Sequence, residues 1–278
     1  MKQKEKKLRI GKMILYVLLI IIAFIMLIPF AWMLSASLKY DKDVFSVPIQ
    51  WIPREPRWQN YIEIWKKIPL LQFVLNTSKL TLIVTALQLL TSSFAAYAFS
   101  KLDFKYKNVL FMAYIATIAV PWQVYMVPQF MMMRSLGLND THLAIIILQA
   151  FSAFGVFMMR QFYQGIPDSL CEAARIDGMN EYRIYGKIML PLSKPALSTL
   201  VIFTFVSTWN DFLGPSIYLT TQSKKTIQIG LRMFIGQYSS DYGLIMAASV
   251  ISLIPVLAVF MALQKYFVEG IAATGIKG

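Results

Sequence analysis

The residues of this chain that are best suited to do chemistry lie in a polar segment at residues 160–194. Within it the sequence reads Glu172-Ala173-Ala174-Arg175-Ile176-Asp177-Gly178. A glutamate can form a charge-assisted hydrogen bond to a basic partner, and small alanines permit a second surface to approach closely. The alternative is that Glu172 only caps its own helix, and both roles can hold because capping uses one carboxylate oxygen. We therefore interpret this segment as a contact element.

Two short helices separated by a tight turn are predicted for this segment. Ser169 and Glu172 have the spacing of a capping box at the start of the first helix. Gly178 stands where that helix should end, because glycine enters the left-handed region without a Cβ penalty. Asn180 is placed to cap the second helix, and Pro191 is placed to stop it.

The second helix carries apolar residues at a helical spacing. Tyr182, Tyr185 and Met189 recur at i, i+3 and i+7, so they share one face. Such a stripe predicts packing against the protein's own core. Pro195 suits the first turn of the helix that follows.

The apolar residues of the chain occur in blocks long enough to cross a membrane. Of its 278 residues 57% are hydrophobic and 15% are charged. A membrane-spanning helix needs ~20 apolar residues, and these blocks lack the alternation of barrel strands. The sequence predicts an all-α membrane protein whose residues 1–278 form one transmembrane domain. Its six spans are predicted at about 13–36, 76–100, 108–132, 141–160, 195–214 and 242–265.

Basic residues indicate the orientation of these spans. Six of the first twelve residues are Lys or Arg, which predicts a cytoplasmic N terminus. Alternation then places 101–107, 160–194 and the C terminus in the cytoplasm as well. The net charge of +13 is assigned to span-flanking residues that meet anionic lipid, and not to nucleic-acid binding.

The third predicted span should bend, because it contains Pro121 and Pro128. Trp122, Tyr125 and Gln129 recur between and beside these prolines at a helical spacing. The functional interpretation is that they face a water-filled path, since irregular backbone at membrane depth needs protein or a cavity around it. The competing interpretation is ordinary packing of a kinked helix.

Gln88 and Gln149 place amides inside the second and fourth predicted spans. Hydrogen bonding between helices is the favoured role, and contact with a substrate is the alternative.

Charged and metal-ligating residues are scarce in the predicted spans. The spans hold almost none, with Asp211 and Lys79 near their edges, whereas proton- or ion-coupled transporters place ionisable groups inside the membrane. His142 has no metal-ligand cluster around it, and Cys171 is the only cysteine. Neither a phosphate-binding loop nor a catalytic triad is present in the sequence, so we expect no catalytic residue, metal or cofactor on this chain. A self-sufficient secondary transporter or channel remains the alternative.

The pattern Glu-Ala-Ala-x-x-Asp-Gly followed by Leu190-Pro191 resembles the EAA motif of ABC-type importer permeases. Trp209-Asn210-Asp211 resembles the carbohydrate branch of that family, and the tail at 269–278 is similar to its maltose-type group. The resemblance implies a permease subunit for a sugar or oligosaccharide in a bacterial cell membrane. Its implied partners are a second related permease, two ATPase subunits that bind ATP and Mg, and an extracytoplasmic substrate-binding protein.

The resemblance also implies roles for particular residues. An ATPase subunit would dock on the motif and its flank, at Glu172, Ala173, Ala174, Asp177, Gly178, Leu190 and Pro191. Candidates for the substrate path are Gln88, Trp122, Tyr125, Gln129 and Asn210. The loop from Thr220 to about Tyr238 would reach the binding protein, with candidate contacts at Thr220, Thr221, Gln222 and Ser223.

Overall fold

The described part of the chain is built from helices. A computed structural model describes residues 2–236 and 241–275, with side-chain environments for 11–236 and 241–266. Short 3₁₀-helices lie at Thr117–Ala119 and Gln222–Lys224, and a π-helix lies at Tyr185–Met189. The α-helices are α1 (Lys2–Ser37), α2 (Asp41–Val44), α3 (Asn60–Lys67), α4 (Leu70–Lys101), α5 (Lys107–Ala116), α6 (Trp122–Ser135), α7 (His142–Gln149), α8 (Ala153–Gln164), α9 (Asp168–Ile176), α10 (Glu181–Ile184), α11 (Leu190–Leu192), α12 (Lys194–Trp209), α13 (Leu213–Tyr218), α14 (Ile227–Met233) and α15 (Tyr242–Gly275).

The helices fall into two compact units. One comprises Met1–Ile68 with Leu231–Leu253, and the other comprises Pro69–Gly230 with Ile254–Gly278. In the first unit the buried Asn60 amide donates to the carbonyls of Ser37 and Lys39, each at 2.9 Å. These bonds satisfy one carbonyl at the end of α1 and one in the turn that follows it.

Helix α4 is the central element of the second unit and packs against α8 and α12. The approach to α8 depends on Gly155, because a Cβ there would lie 2.4 Å from the hydroxyl oxygen of Ser92. Small residues at such crossings let helix backbones come close together. The core at the α9 end of this bundle includes Ala96, Tyr97, Met159, Tyr163 and Leu200.

The prediction of an apolar, all-helical membrane protein is confirmed in its coarse form. Four described helical stretches are long and apolar enough to cross a membrane: Gly11–Ser37, Leu70–Lys101, His142–Gln164 and Tyr242–Tyr266. The number rises to six if each of two bent pairs forms one span. Lys107–Ala119 meets Trp122–Ser135 at 99°, so the bend expected at Pro121 is confirmed, and Glu181–Leu192 meets Lys194–Trp209 at 78°.

Two predicted spans differ from the helices observed. The fourth, predicted as continuous over 141–160, is interrupted between α7 and α8, where the Ser152 hydroxyl caps α8 by accepting the Gly155 N–H at 3.0 Å. The fifth was predicted to run to residue 214, but α12 ends at Trp209. The chain then forms α13, α14 and a 3₁₀ turn where the sequence predicted a connecting loop.

Candidate functional site

Helix α9 forms the first half of the polar segment. It begins at Asp168, behind Pro167, and no side chain caps its N terminus. The predicted capping box of Ser169 and Glu172 was therefore wrong, because Ser169 already lies inside the first turn and cannot serve as the N-cap. The Asp168 carboxylate instead places negative charge at the positive end of the helix dipole.

The turn after α9 is a Schellman motif built on Gly178, as the sequence predicted. Gly178 has a φ of 79°. Its N–H donates to the Arg175 carbonyl at 3.0 Å, and the Met179 N–H donates to the Ala174 carbonyl at 2.9 Å. Met179 also packs against the cluster that contains Ala174, which is the apolar contact typical of this motif. The turn is therefore fixed by backbone hydrogen bonds and by one left-handed residue.

The second helix begins as predicted but does not end as predicted. The Asn180 side-chain oxygen caps α10 by accepting the Arg183 N–H at 3.0 Å. The helix then continues through the π-helical Tyr185–Met189 into Leu190–Leu192, so it passes through Pro191. A π turn shifts the hydrogen-bond register just before the proline. The helix therefore continues although Pro191 has no backbone N–H to donate.

The inward face of the segment joins the core of the second unit. Ile184, Tyr185 and Met189 are buried there, together with Cys171. Burial raises the pKa of the Cys171 thiol above its usual range. The predicted inward stripe was wrong at Tyr182, which is 79% exposed because it lies in the first turn of α10, beyond the edge of the core.

The predicted docking residues lie on the outward face of α9, in the turn after it and near the end of the second helix. Exposed are Glu172, Ala173, Asp177, Gly178 and Pro191, while Leu190 is half-buried. Ala174 is a correction: it is 3% exposed and packs in the core, so it offers no outer contact. Ile176, which the sequence interpretation overlooked, is 87% exposed. Its signal was available, because Ile176 follows Ala173 by three residues on the face opposite Cys171.

Polar bonds tie this segment to the end of α4. The Lys101 ammonium is buried and donates to the Asp168 carboxylate at 2.5 Å. This hydrogen bond holds the pKa of Asp168 below its usual range. The Arg175 guanidinium donates to the Glu181 carboxylate at 2.8 Å, and the Tyr97 hydroxyl of α4 donates to the same carboxylate. Both halves of the segment are therefore anchored on one long helix.

A first cavity, of about 230 Å³, lies beside α6. Trp122, Tyr125 and Gln129 line it together with Tyr218. The Gln129 side-chain oxygen accepts the Trp122 indole N–H at 2.8 Å and the Tyr218 hydroxyl at 3.2 Å. The face predicted from the sequence therefore forms one wall of a cavity with aromatic rings and an amide, and its role in a substrate path stays a prediction.

The break between α7 and α8 is satisfied by side chains of α4. The Gln88 amide donates to the Gln149 carbonyl at 2.7 Å, and the Thr91 hydroxyl donates to the Ala150 carbonyl at 2.8 Å. The Gln88 side-chain oxygen accepts the Thr204 hydroxyl at 3.0 Å. Gln88 thus makes the interhelical bonds favoured from the sequence, and it also lines a second cavity of about 540 Å³.

Asp211 is the residue that the sequence interpretation underestimated. Its carboxylate accepts the Gln149 amide N–H at 2.7 Å and the Gly214 backbone N–H at 3.1 Å. Asp211 and Gln149 line both cavities. Asn210, the predicted path residue next to it, lines neither, and its amide donates to the Val206 carbonyl of its own helix at 3.0 Å. From the sequence alone, Asp211 is read as a polar helix end.

The loop with the predicted binding-protein contacts is held by one carboxylate. Thr220–Ser223 are all exposed. The Asp140 carboxylate accepts the backbone N–H groups of Thr220 and Thr221 at 2.9 and 3.1 Å, and the Lys224 ammonium at 3.0 Å. Asp140 itself adopts a left-handed φ of 55°. Hydrogen bonds, those from Thr221 first, hold its pKa below its usual range.

Some predictions concern residues that the structure does not describe. Tyr238, near the end of the predicted binding-protein loop, lies outside the described residues, as do the side chains of the tail at 269–278. Within the described part of the chain, no group of three or more His, Cys, Asp or Glu residues is placed to hold a metal ion.

Long apolar helices, a surface element anchored on α4 and polar cavities between helices define a multi-pass membrane transport component. The chain belongs to the family described as binding-protein-dependent transport system inner membrane component, which matches residues 88–272. It is 33% identical over 260 residues to the arabinooligosaccharides transport system permease protein AraQ of Halalkalibacterium halodurans, covering 92% of this chain and 93% of that protein.

Two further comparisons agree with this family. The lactose transport system permease protein LacG of Rhizobium radiobacter is 30% identical over 262 residues, with 94% of this chain and 95% of that protein covered. A chain from the crystal structure of a bacterial ABC transporter involved in the import of the acidic polysaccharide alginate superimposes with a TM-score of 0.82. It is 29% identical, and the match covers 93% of this chain and 97% of that one.

Proposed function

We propose that this chain is one permease subunit of an ABC importer for a sugar or oligosaccharide, and that an ATPase subunit docks on the outward face of α9. The full importer would contain a second related permease, two ATPase subunits that bind ATP and Mg, and an extracytoplasmic binding protein. Six spans with both termini in the cytoplasm would put α9 on the side where ATP is available. The named substrates of the relatives, arabinooligosaccharides and lactose, support a carbohydrate as the cargo.

The observation that carries this proposal is the composition of the exposed face of α9. Ile176 is 87% exposed and Tyr182 on the adjacent helix is 79% exposed. Full burial of a side chain such as Ile176 would contribute about 1.5–3 kcal/mol to an interface. Within the described residues the Glu172 carboxylate has no hydrogen-bond partner, so it is available to a basic group on another protein.

The same segment is built to pass a movement to the membrane helices. Lys101 and Tyr97 of α4 hold its two halves through Asp168 and Glu181. A third link joins the Ser93 and Tyr185 hydroxyls at 2.6 Å. We expect a displacement of α9 to be transmitted to α4 through these contacts. Helix α4 lines the second cavity, so this route connects the docking surface to the cavities between the helices.

The cavities have the chemistry that a sugar requires. The rings of Trp122, Tyr125 and Tyr218 offer flat apolar surfaces to the C–H faces of a pyranose or furanose. The amides of Gln129 and Gln149 offer donors and acceptors to its hydroxyls. A volume of about 230 Å³ is large enough for one sugar ring.

The competing function is a secondary transporter or channel that works without an ATPase. To distinguish the two, the tagged chain is purified in mild detergent and the proteins that accompany it are identified. We expect an ATPase and a second permease. Uptake by the reconstituted complex should stop when ATP is omitted or replaced by a non-hydrolysable analogue, whereas uptake that persists would favour the secondary transporter.

A substitution series tests the docking surface in the same preparation. Glu172→Ala and Ile176→Ser should each lower the amount of ATPase that remains bound through washing. Glu55→Ala is the matched control, because Glu55 is exposed and lies in the other compact unit. Equal ATPase retention in all three variants would refute docking at α9.

A further inference from the structure

We propose that Asp211 contacts the transported carbohydrate and makes the path selective for neutral over anionic sugars. This inference rests on the proposed sugar-importer function and adds a residue and a substrate class to it. Of the residues whose side chains the structure describes, three line both the first and the second cavity, namely Asp211, Leu148 and Gln149. These three residues therefore form a wall that the two cavities share.

The carboxylate is fixed in this wall and keeps acceptor capacity. The Gln149 amide and the backbone N–H groups of Leu213 and Gly214 bond to it. A carboxylate has about four acceptor positions, so at least one remains for a ligand hydroxyl. Gly214 leaves the necessary space, because a Cβ there would lie 2.6 Å from a carboxylate oxygen of Asp211.

The rest of the lining determines which ligand charge is acceptable. Among the described residues that line the two cavities, none is Lys, Arg or His. The Gln, Tyr, Ser and Thr groups there are neutral, so Asp211 supplies the only formal charge of this lining. A uronate or sugar phosphate would bring its negative charge next to Asp211, and the lining that this chain supplies offers no compensating cation, which is unfavourable in a site of low polarity. A neutral sugar would instead donate a hydroxyl hydrogen to the carboxylate, a bond strengthened by its charge.

The test is made on the assembled importer in proteoliposomes with its binding protein. Uptake is measured for neutral probes, namely lactose, raffinose and arabinotriose, and for the anionic probe digalacturonate. We expect the wild-type complex to take up at least one neutral probe and to prefer it over digalacturonate. Asp211→Asn preserves shape and can retain the hydrogen bonds with Gln149 and Gly214, since the Gln149 amide can rotate to present its oxygen.

We expect Asp211→Asn to lower the ratio of neutral to anionic uptake about tenfold, the factor that corresponds to about 1.4 kcal/mol. The ratio does not depend on the amount of assembled complex. If Asp211→Asn prevents assembly, Gly214→Ala displaces the same carboxylate without removing it and should lower the ratio in the same direction. Asp103→Asn removes an exposed carboxylate far along the chain and should leave the ratio unchanged.

Failure of this inference can be told apart from failure of the proposed function. Neutral uptake by the wild type, with a ratio that Asp211→Asn or its replacement Gly214→Ala leaves unchanged, would overturn the role of Asp211 alone. A wild-type preference for digalacturonate would overturn it as well. If the wild type transports none of the four probes while it still hydrolyses ATP, the sugar function itself is refuted, and this inference with it.

Discussion

Replacing Gly178 with valine should uncouple this permease from its ATPase. Gly178 holds a φ of 79° in the Schellman turn between α9 and α10, a conformation that costs a β-branched residue on the order of 1–3 kcal/mol. A Cβ at this position would meet no heavy atom within 4 Å, so backbone strain is the whole effect. Relief of this strain would reorient α9 relative to α10, which would displace Ile176 on the proposed docking face.

The same 1–3 kcal/mol sets the size of the expected effect on docking. If the docked ATPase requires the native turn, its affinity should fall roughly 5- to 150-fold, with a matching loss of sugar-stimulated ATP hydrolysis. Affinity is measured by titrating the purified ATPase onto the permease complex, and stimulation is measured with the binding protein added. The Gly178→Val permease should still insert in the membrane, because the strain lies in an exposed turn.

Two glycines provide matched controls. Gly137 has a φ of 70°, open space around its Cβ position and its own Schellman turn after α6, so Gly137→Val imposes the same strain elsewhere. Gly186 lies in the polar segment with open space and without a left-handed φ, so Gly186→Val adds the same side chain without that strain. Both controls should retain ATPase binding. Loss of binding in all three variants, or in none, would refute the link between the Gly178 turn and coupling.

Three further predictions follow from the same geometry. Cys171 is buried, so impermeant thiol reagents should fail to label it from either side of the membrane. The exposed position is tested with Ile176→Cys in a Cys171→Ser background, which should be labelled only in inverted vesicles that lack the ATPase. Labelling of this variant in right-side-out vesicles would contradict the predicted orientation. Replacing Thr220–Ser223 with a Gly-Ser linker should reduce ATP hydrolysis stimulated by the binding protein. Asp140→Asn should reduce it partially, because the Asp140 carboxylate holds this loop. Unchanged stimulation in both variants would show that the loop only connects its flanking helices. Tyr125 is 41% exposed at the cavity, so Tyr125→Ala should leave assembly near normal and alter sugar preference or coupling. A large loss of assembled complex would show instead that the ring mainly packs against neighbouring helices.

Features that depend on neighbouring residues could be predicted from the sequence. The apolar blocks indicated membrane helices because hydrocarbon accepts only long uncharged segments. The bend at Pro121, the turn at Gly178 and the cap at Asn180 each follow from the backbone chemistry of one residue. The predicted capping box at Ser169 was wrong because the N-cap position is Pro167, two residues earlier. The sequence pattern fits a helix start at either position and does not choose between them.

The position of a side chain relative to other helices was decided only by tertiary structure. The break in the fourth span carries no Pro or Gly at residues 150–152, and it is stable because Gln88 and Thr91 of α4 bond to the freed carbonyls. Ala174 looked like part of a docking surface and is buried, while Ile176 lies outside, because the core formed with α4 determines which face of α9 turns inward.

Asp211 shows the same division most clearly. The sequence by itself established that a carboxylate stands near the edge of an apolar block, and its only local explanation was a helix end. The structure places it between two cavities, bonded to Gln149, which lies 62 residues away in the chain. Local sequence determines the secondary structure around a residue through short-range backbone and solvation effects. Which distant groups share a cavity is determined by how the helices pack, and that packing depends on long-range contacts that no local pattern contains.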